Sequence, residues 1–162
     1  EAVLEERGEK PKEPDCTADL NVTANVSQEY VSRGEERMDL YRRMAAIRSQ
    51  NDADDLLDEI IDRYGDPPKG VINLIDIALL RAEARRCGVN DIRQKAGDVM
   101  LTMNELNFEG ISAICADPDY KNRLFFVASA KVPTLRLKLH GSADSLKQTK
   151  ALIARMKQCF QV

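Results

Sequence analysis

The sequence predicts an α+β fold: an N-terminal strand, three helices, then a small, mostly antiparallel sheet and a C-terminal helix. Three observations predict it: apolar and polar residues alternate after Cys16, helical periodicity extends over residues 33–87, and alternation returns after Gly88. With 162 residues, 43% of them hydrophobic, the chain can bury its own core. We therefore expect one domain over residues 15–162, preceded over residues 1–14 by a linker and the end of an upstream segment.

The first strand is predicted over residues 16–27, where side chains alternate strictly in character. One side is apolar or small: Cys16, Ala18, Leu20, Val22, Ala24 and Val26. The other side is polar: Thr17, Asp19, Asn21, Thr23, Asn25 and Ser27. This pattern is typical of a strand with one buried face.

The first helix is predicted over residues 33–48. Ser32 followed by Glu35 fits a capping box, in which the two side chains satisfy free N–H groups at the start of a helix. One helical face then contains Met38, Tyr41, Met44, Ala45 and Arg48. Leu40 and Ile47 lie at the edges of that face. The helix should therefore pack along one side.

Two more helices follow. The second should begin near Asn51 or Asp52, both suited to capping, and end at Gly65. Its apolar stripe contains Leu56, Leu57, Ile60, Ile61 and Tyr64. Pro68 suits the first turn of the third helix, which should end near Cys87. The third helix is expected to bury Val71, Leu74, Ile75, Ala78 and Ala82.

The second half of the chain returns to short alternating segments. A hairpin is predicted after Gly88, with its turn at Gly97-Asp98. The remaining elements are a short helix, two strands and a long helix, over residues 108–116, 124–128, 135–139 and 142–160. The last helix should direct five side chains into the core: Leu146, Leu152, Ile153, Met156 and Phe160.

Cysteine and histidine usage argues against metal, disulfide and redox sites. The four cysteines lie tens of residues apart: Cys16, Cys87, Cys115 and Cys159. No C-x-x-C pair occurs, and His140 is the single histidine. No apolar run approaches the roughly 20 residues that span a bilayer. We expect reduced cysteines, a cytoplasmic location, no membrane contact and no cofactor.

The charge is distributed unevenly. Residues 1–70 carry 18 acidic and 10 basic side chains, a charge of −8, whereas residues 71–162 carry 9 and 14, a charge of +5. An acidic half repels phosphate and attracts basic protein surfaces. The basic half leaves one alternative open, a nucleic-acid accessory domain that uses Arg81, Arg85, Arg86, Arg93 and Lys95. The competing interpretation is that these arginines are solvated side chains at the end of a helix.

Motifs for catalysis are missing from the sequence. It contains no phosphate-binding loop, no dinucleotide fingerprint and no nucleophile elbow. A small hydrolase would have to use the carboxylates of the second helix: Asp52, Asp54, Asp55, Asp58, Glu59 and Asp62. We expect these groups to face water, where carboxylates make poor acids or bases at neutral pH. The chain is therefore predicted not to be an enzyme.

The second helix carries a cluster of carboxylates nearly opposite its apolar stripe. At 100° per residue, this cluster contains Asp55, Asp58, Glu59 and Asp62. Most charged helix faces are simply solvated. The more specific interpretation is a docking face for another protein surface. Arginines of that partner would relieve the repulsion among these carboxylates by forming bidentate hydrogen bonds with them.

Four sequence blocks resemble the C-terminal domain of bacterial transcription-repair coupling factors. They are PDCTADLNVTANVSQEYV, ERMDLYRRMAAIRS, EIIDRYGDPP and VINLIDIALLRAEARRCGV, which start at residues 14, 36, 59 and 71. Their order and spacing make the combination specific, although each block alone is weak. The resemblance covers residues 15–90 well and the remainder loosely, so we carry over no functional residue from the last third.

The resemblance implies a non-catalytic regulatory domain of an ATP-driven DNA translocase that displaces stalled RNA polymerase and recruits UvrA. Such a domain docks on the UvrB-homology module of its own polypeptide, masks the UvrA-binding surface and restrains the motor. The family's contact places acidic residues of the E-x-x-D-R-[FY]-G helix against arginines. By position these are Glu59 and Asp62. No direct nucleic-acid contact is expected.

Overall fold

The computed structural model describes residues 16–127, 132–140 and 144–162. Within them the helices are α1 (Gly34–Ala45), α2 (Gln50–Tyr64), α3 (Lys69–Arg86), α4 (Phe108–Ala116) and α5 (Ser145–Phe160). The strands are β1 (Thr17–Asp19), β2 (Val89–Lys95), β3 (Asp98–Met103), β4 (Leu124–Val127) and β5 (Thr134–Lys138). The predicted α+β class is confirmed. The predicted linker, and the predicted positions of a strand end at Ala128 and a helix start at Ser142, lie outside the described residues.

The five strands form one sheet in the order β1-β2-β3-β5-β4. Among the described strands only β1 is parallel to its neighbour, and the three helices between β1 and β2 supply the crossover connection that a parallel pair requires. The other neighbours are antiparallel, and Leu101 of β3 lies opposite Leu135 of β5. The small, mostly antiparallel sheet predicted after α3 is therefore present, and β1 extends it at one edge.

Two apolar clusters make up the interior of the part of the chain that the structure describes. The sheet core joins β2, β3, β4 and β5 to α4 and α5. The helical core joins α1, α2 and the first half of α3. Because α3 contributes Leu80 to the sheet core and Val71 to the helical core, it is buried on two sides. This wider burial adds Leu79, Leu80 and Ala84 to the predicted stripe, of which Leu74 and Ala78 are only half-buried. All five residues predicted to point inward from α5 are buried.

The first strand is shorter than its alternating pattern predicts. Only three residues, Thr17 to Asp19, pair with β2. Beyond them the chain turns, and isolated hydrogen bonds attach it to the helices: the Val26 amide donates to Tyr41 Oη at 2.8 Å, the Asn25 amide donates to the Gly70 carbonyl at 3.2 Å, and Asn73 Nδ2 donates to the Thr23 carbonyl at 2.8 Å. Alternate residues can be buried by helices without a strand partner, so alternation alone overestimated the strand.

The helix caps differ from those predicted. Arg33 occupies the N-cap position of α1 without a side-chain hydrogen bond, so the capping box at Ser32 does not form. Ser49 caps α2 through its hydroxyl, which accepts a hydrogen bond from the Asp52 amide at 3.2 Å. The predicted caps, Asn51 and Asp52, lie inside the helix. Ser49 can cap because its extended backbone directs its hydroxyl toward the free N–H groups of the first turn.

The β2–β3 turn also lies one residue before its predicted position. Lys95 pairs with Asp98, which leaves Ala96 and Gly97 as the two-residue loop. Ala96 adopts a positive φ of 53°, a conformation usual in tight hairpin turns. Asp98 is therefore the first residue of β3 and not part of the turn.

Candidate functional site

The second helix presents its acidic side chains to water because its other side is packed. Ala53, Leu56 and Ile60 are buried in the helical core and orient the helix. The helix stops at Gly65, where a φ of 85° reverses the backbone and the amide closes the last turn by donating to the Ile61 carbonyl at 2.9 Å. These local features direct the opposite side of α2 outward.

Three aspartates occupy that outward side, and we call Asp55, Asp58 and Asp62 the acidic ridge. All three are exposed. Their spacing of three and four residues makes them neighbours along one helix face. Among the residues that the structure describes, no base pairs with any of them. The ridge therefore carries unneutralised negative charge.

Glu59, the fourth predicted contact residue, has a partner inside the domain. Arg43 of α1 donates two hydrogen bonds to its carboxylate, one from Nη1 to Oε2 and one from Nη2 to Oε1 at 2.8 Å. The hydrogen bond from Arg43 holds the pKa of Glu59 below its usual value. Both side chains stay partly exposed, at 37% for Arg43 and 44% for Glu59. The structure thus separates Glu59 from the unpaired aspartates of the ridge.

A second contact joins α1 to the end of α2. Glu36 Oε1 accepts hydrogen bonds from Arg63 Nη2 at 3.1 Å and from the Tyr64 hydroxyl at 3.0 Å. Together with Arg43 and Glu59, these groups neutralise the C-terminal half of the side of α2 that faces α1. Sequence reasoning missed both contacts because the partners lie 16 to 28 residues apart. Periodicity places residues on a helix face but does not reveal which helix lies beside it.

Replacement of Arg43 by glutamine is expected to raise the pKa of Glu59 toward 4.5, its ordinary value. A carboxyl group whose pKa is lower in the folded than in the unfolded chain stabilises the fold at a pH above its unfolded-state pKa. This stabilisation is lost as the pH falls through the folded-state pKa. The Arg43→Gln variant should therefore lose less stability than the unmodified chain when the pH is lowered below about 4.5. Titration of the Glu59 carboxyl carbon by NMR measures the pKa. Arg42→Gln, which alters the neighbouring arginine, should leave it unchanged, and an unchanged pKa in Arg43→Gln would contradict the assignment.

A concave site of about 280 Å³ lies between α1 and α2 beside the ridge. Its lining consists of Arg43, Ala46, Ile47, Asp52, Asp55 and Leu56. Asp52 accepts a hydrogen bond from the Arg48 amide at 2.9 Å, and both aspartates are exposed. Catalytic carboxyl groups usually depend on burial to shift their pKa, so this site gives the hydrolase hypothesis no support.

Three of the basic residues named for the nucleic-acid alternative, Arg81, Arg86 and Arg93, contact the protein itself. Arg81 Nε donates to the Cys16 carbonyl at 2.6 Å and so holds β1 to α3. Arg86 Nη2 donates to the Arg48 carbonyl at 3.1 Å, which links α3 to the loop after α1. Arg93 lies 3.7 Å from an aspartate two residues earlier on β2. These contacts favour a structural role over phosphate binding.

No disulfide joins the four cysteines, all of which lie within the described residues. Burial raises the pKa of Cys87 to about 12, so this side chain is a neutral thiol at physiological pH and a poor nucleophile. Among the described residues, no group of three or more His, Cys, Asp or Glu side chains is placed to hold a metal ion. No helix in the described ranges has both the length and the apolar character needed to cross a bilayer.

Comparison with known proteins relates this domain to one family. A family model described as the TRCF domain matches residues 20–113. The chain is 30% identical over 115 residues to a transcription-repair-coupling factor of Staphylococcus epidermidis, an alignment that covers 69% of this chain and 10% of that protein. It is 31% identical over 107 residues to the factor of Bacillus subtilis, covering 65% and 9%. The chain thus spans about a tenth of the length of these relatives.

The fold is also similar to a solved structure, the crystal structure of the C-terminal domain of a transcription-repair coupling factor. The TM-score is 0.74 at 18% identity, and the alignment covers 91% of this chain and 94% of that one. At this identity the likeness concerns the fold. Because the family model matches more than half of the residues, this chain belongs to the TRCF domain family, the C-terminal domain of transcription-repair coupling factor.

Proposed function

We propose that this domain is the autoinhibitory docking module of a transcription-repair coupling factor. In this proposal α2 packs against the UvrB-homology module of the same polypeptide and covers the surface that binds UvrA. The parent protein is an ATP-driven DNA translocase that displaces stalled RNA polymerase, and docking restrains it until polymerase is engaged. The domain contributes contacts and no chemistry. The observation that supports this function is the acidic ridge of Asp55, Asp58 and Asp62.

The ridge has a physical cost that docking would relieve. Like charges three or four residues apart on a helix repel one another and slightly destabilise it. Arginine side chains of a partner would remove this repulsion and form charge-assisted hydrogen bonds, which are the stronger kind. Complementary charge also speeds encounter and suppresses wrong partners. A row of unpaired carboxylates therefore favours a basic protein face as its partner.

Glu59 and Asp62, the two contact positions implied by the family resemblance, would contribute differently. Asp62 belongs to the ridge and can accept hydrogen bonds from a partner without breaking any internal contact. Glu59 is already bound by Arg43, so a partner arginine would have to share or displace that pair. Since Glu59 remains partly exposed, its carboxylate can accept a hydrogen bond from a partner arginine while it stays paired with Arg43. We therefore assign most of the docking energy to the three aspartates.

Reversal of two ridge charges, Asp58→Arg with Asp62→Arg, is expected to release the domain in the intact coupling factor. Guanidinium groups would then face guanidinium groups, so UvrA binding should rise about tenfold or more. ATP hydrolysis without RNA polymerase should rise as well. Pull-down with purified UvrA and a steady-state ATPase assay measure the two effects.

The matched control is Glu29→Arg with Glu105→Arg, which makes the same charge change at two exposed acids outside α2. It should leave UvrA binding and ATP hydrolysis at the level of the unmodified factor. If the ridge reversal behaved like this control, the proposed function would be wrong. A rise in both variants would show a general effect of charge and would equally reject a specific role for α2.

A further inference from the structure

The concave site between α1 and α2 adjoins the acidic ridge, and we call it the α1–α2 socket. We propose that the socket receives one arginine side chain of the partner surface. Its guanidinium group would lie between Asp52 and Asp55, and its methylene groups would pack on Ala46 and Leu56. This inference rests on the proposed docking function, which it extends from a charged face to a specific recognition pocket.

The charges of the socket favour a cation. Arg43, the single base in the lining, is neutralised by its two hydrogen bonds to Glu59. Asp52 uses Oδ2 to accept from the Arg48 amide at 2.9 Å, and Asp55 has no ion-pair partner in the described part of the chain. Two carboxylates therefore remain available to a guest, and the socket is negative despite the arginine in its wall.

The shape of the socket favours arginine over lysine. Asp52 and Asp55 are three residues apart on α2, which places their side chains on neighbouring positions about 5–6 Å apart at Cβ. A planar guanidinium group carries five N–H donors in a rigid fork and can reach both carboxylates, whereas an ammonium group acts as a compact, strongly hydrated point charge. Ile47 and Leu56 are buried and supply an apolar floor for the aliphatic part of the guest.

The walls of the socket are held in place before any partner arrives. The Ser49 cap fixes the first turn of α2, which carries Asp52. The Arg43–Glu59 pair ties α1 to α2 across the other side. A pocket that needs no reorganisation loses less binding energy on docking. The socket is therefore suited to anchor the interface while the ridge supplies longer-range attraction.

Filling the socket tests its role without changing any charge. Ala46→Trp in the intact coupling factor places an indole at the exposed rim, and UvrA binding should rise about tenfold, as expected when a central anchor is lost. Ala151→Trp adds the same side chain to an exposed position of α5 and should change nothing. If reversal of the ridge raised UvrA binding and Ala46→Trp did not, the socket inference would fail while the docking function stood. If neither had an effect, the proposed function itself would fail.

A direct binding test uses the 162-residue chain alone and does not depend on the partner. Titration with Nα-acetylarginine methylamide should shift the NMR signals of the Ala46, Asp52 and Asp55 amides in a saturable way. The corresponding lysine compound should bind about fivefold more weakly, because it cannot bridge two carboxylates. Ala46→Trp should abolish the shifts, and its circular dichroism spectrum checks that it folds. Equal binding of the two compounds, or equal shifts at Asp62, would overturn the proposal.

Discussion

Truncation of Ile60 to alanine should lower the free energy of unfolding by about 2–5 kcal/mol, the range for large-to-small changes in a packed core. Ile60 is 1% exposed and lies in the helical core beneath α2. The change removes apolar contacts and leaves a cavity that the surrounding side chains fill only in part. Urea unfolding followed by circular dichroism measures the loss.

The adjacent residue supplies the control, since Ile61 has the same side chain on the same helix but is 41% exposed. Ile61→Ala should change stability by only about 0.5 kcal/mol, as at most surface positions. Equal losses at the two positions would show that the orientation of α2 differs from the one described. That result would also remove the basis for the acidic ridge, because the same orientation directs Asp58 and Asp62 outward.

Replacement of Gly110 by alanine is expected to lower the free energy of unfolding by about 1–3 kcal/mol through overpacking. The added Cβ would lie 2.3 Å from Cδ1 and 2.7 Å from Cε1 of Phe160, a ring that is itself buried between α4 and α5. In an open helix position the same change usually stabilises, because glycine loses more backbone entropy on folding. The close approach of two helices thus reverses the usual sign of the effect that a glycine-to-alanine change has on stability.

Gly34→Ala serves as the matched control for this prediction. Its added Cβ would meet only the Arg37 side chain at 3.5 Å, an ordinary contact, so a gain of about 0.5 kcal/mol is expected. Phe160→Leu should recover part of the loss in the Gly110→Ala background by making room for the new methyl group. Thermal unfolding of the unmodified chain, Gly110→Ala, Phe160→Leu and the double variant forms a double-mutant cycle. Additive effects of the Gly110 and Phe160 changes would contradict the proposed clash.

The position of α2 connects these stability predictions to function. The helical core holds its inner face, and two ion-pair contacts with α1 hold one flank. The remaining outward face carries the ridge, with the socket at its border with α1. If α2 docks as proposed, loss of Ile60 should therefore weaken docking in the intact factor as well as stability, whereas Gly110 packs against Phe160 of the sheet core and its replacement should affect stability alone.

The sequence by itself determined the class of fold and the location of most elements. Hydrophobic periodicity is local, so the three helices, the hairpin and α5 could be predicted from spacing within one segment. The same reasoning placed Asp55, Asp58 and Asp62 opposite the apolar stripe of α2. Family membership was also predictable, because four blocks of residues stand in the right order along the chain.

Only the tertiary structure decided which of these groups are free. Glu59 and Asp62 read alike in the sequence, yet Glu59 lies against α1, where Arg43 binds it. Ile61 belongs to the apolar stripe but escapes burial, because the stripe is wider than the surface that covers it. Both outcomes depend on how two helices pack against each other. That arrangement is set by contacts between residues distant in the chain, and no local pattern of spacing contains it.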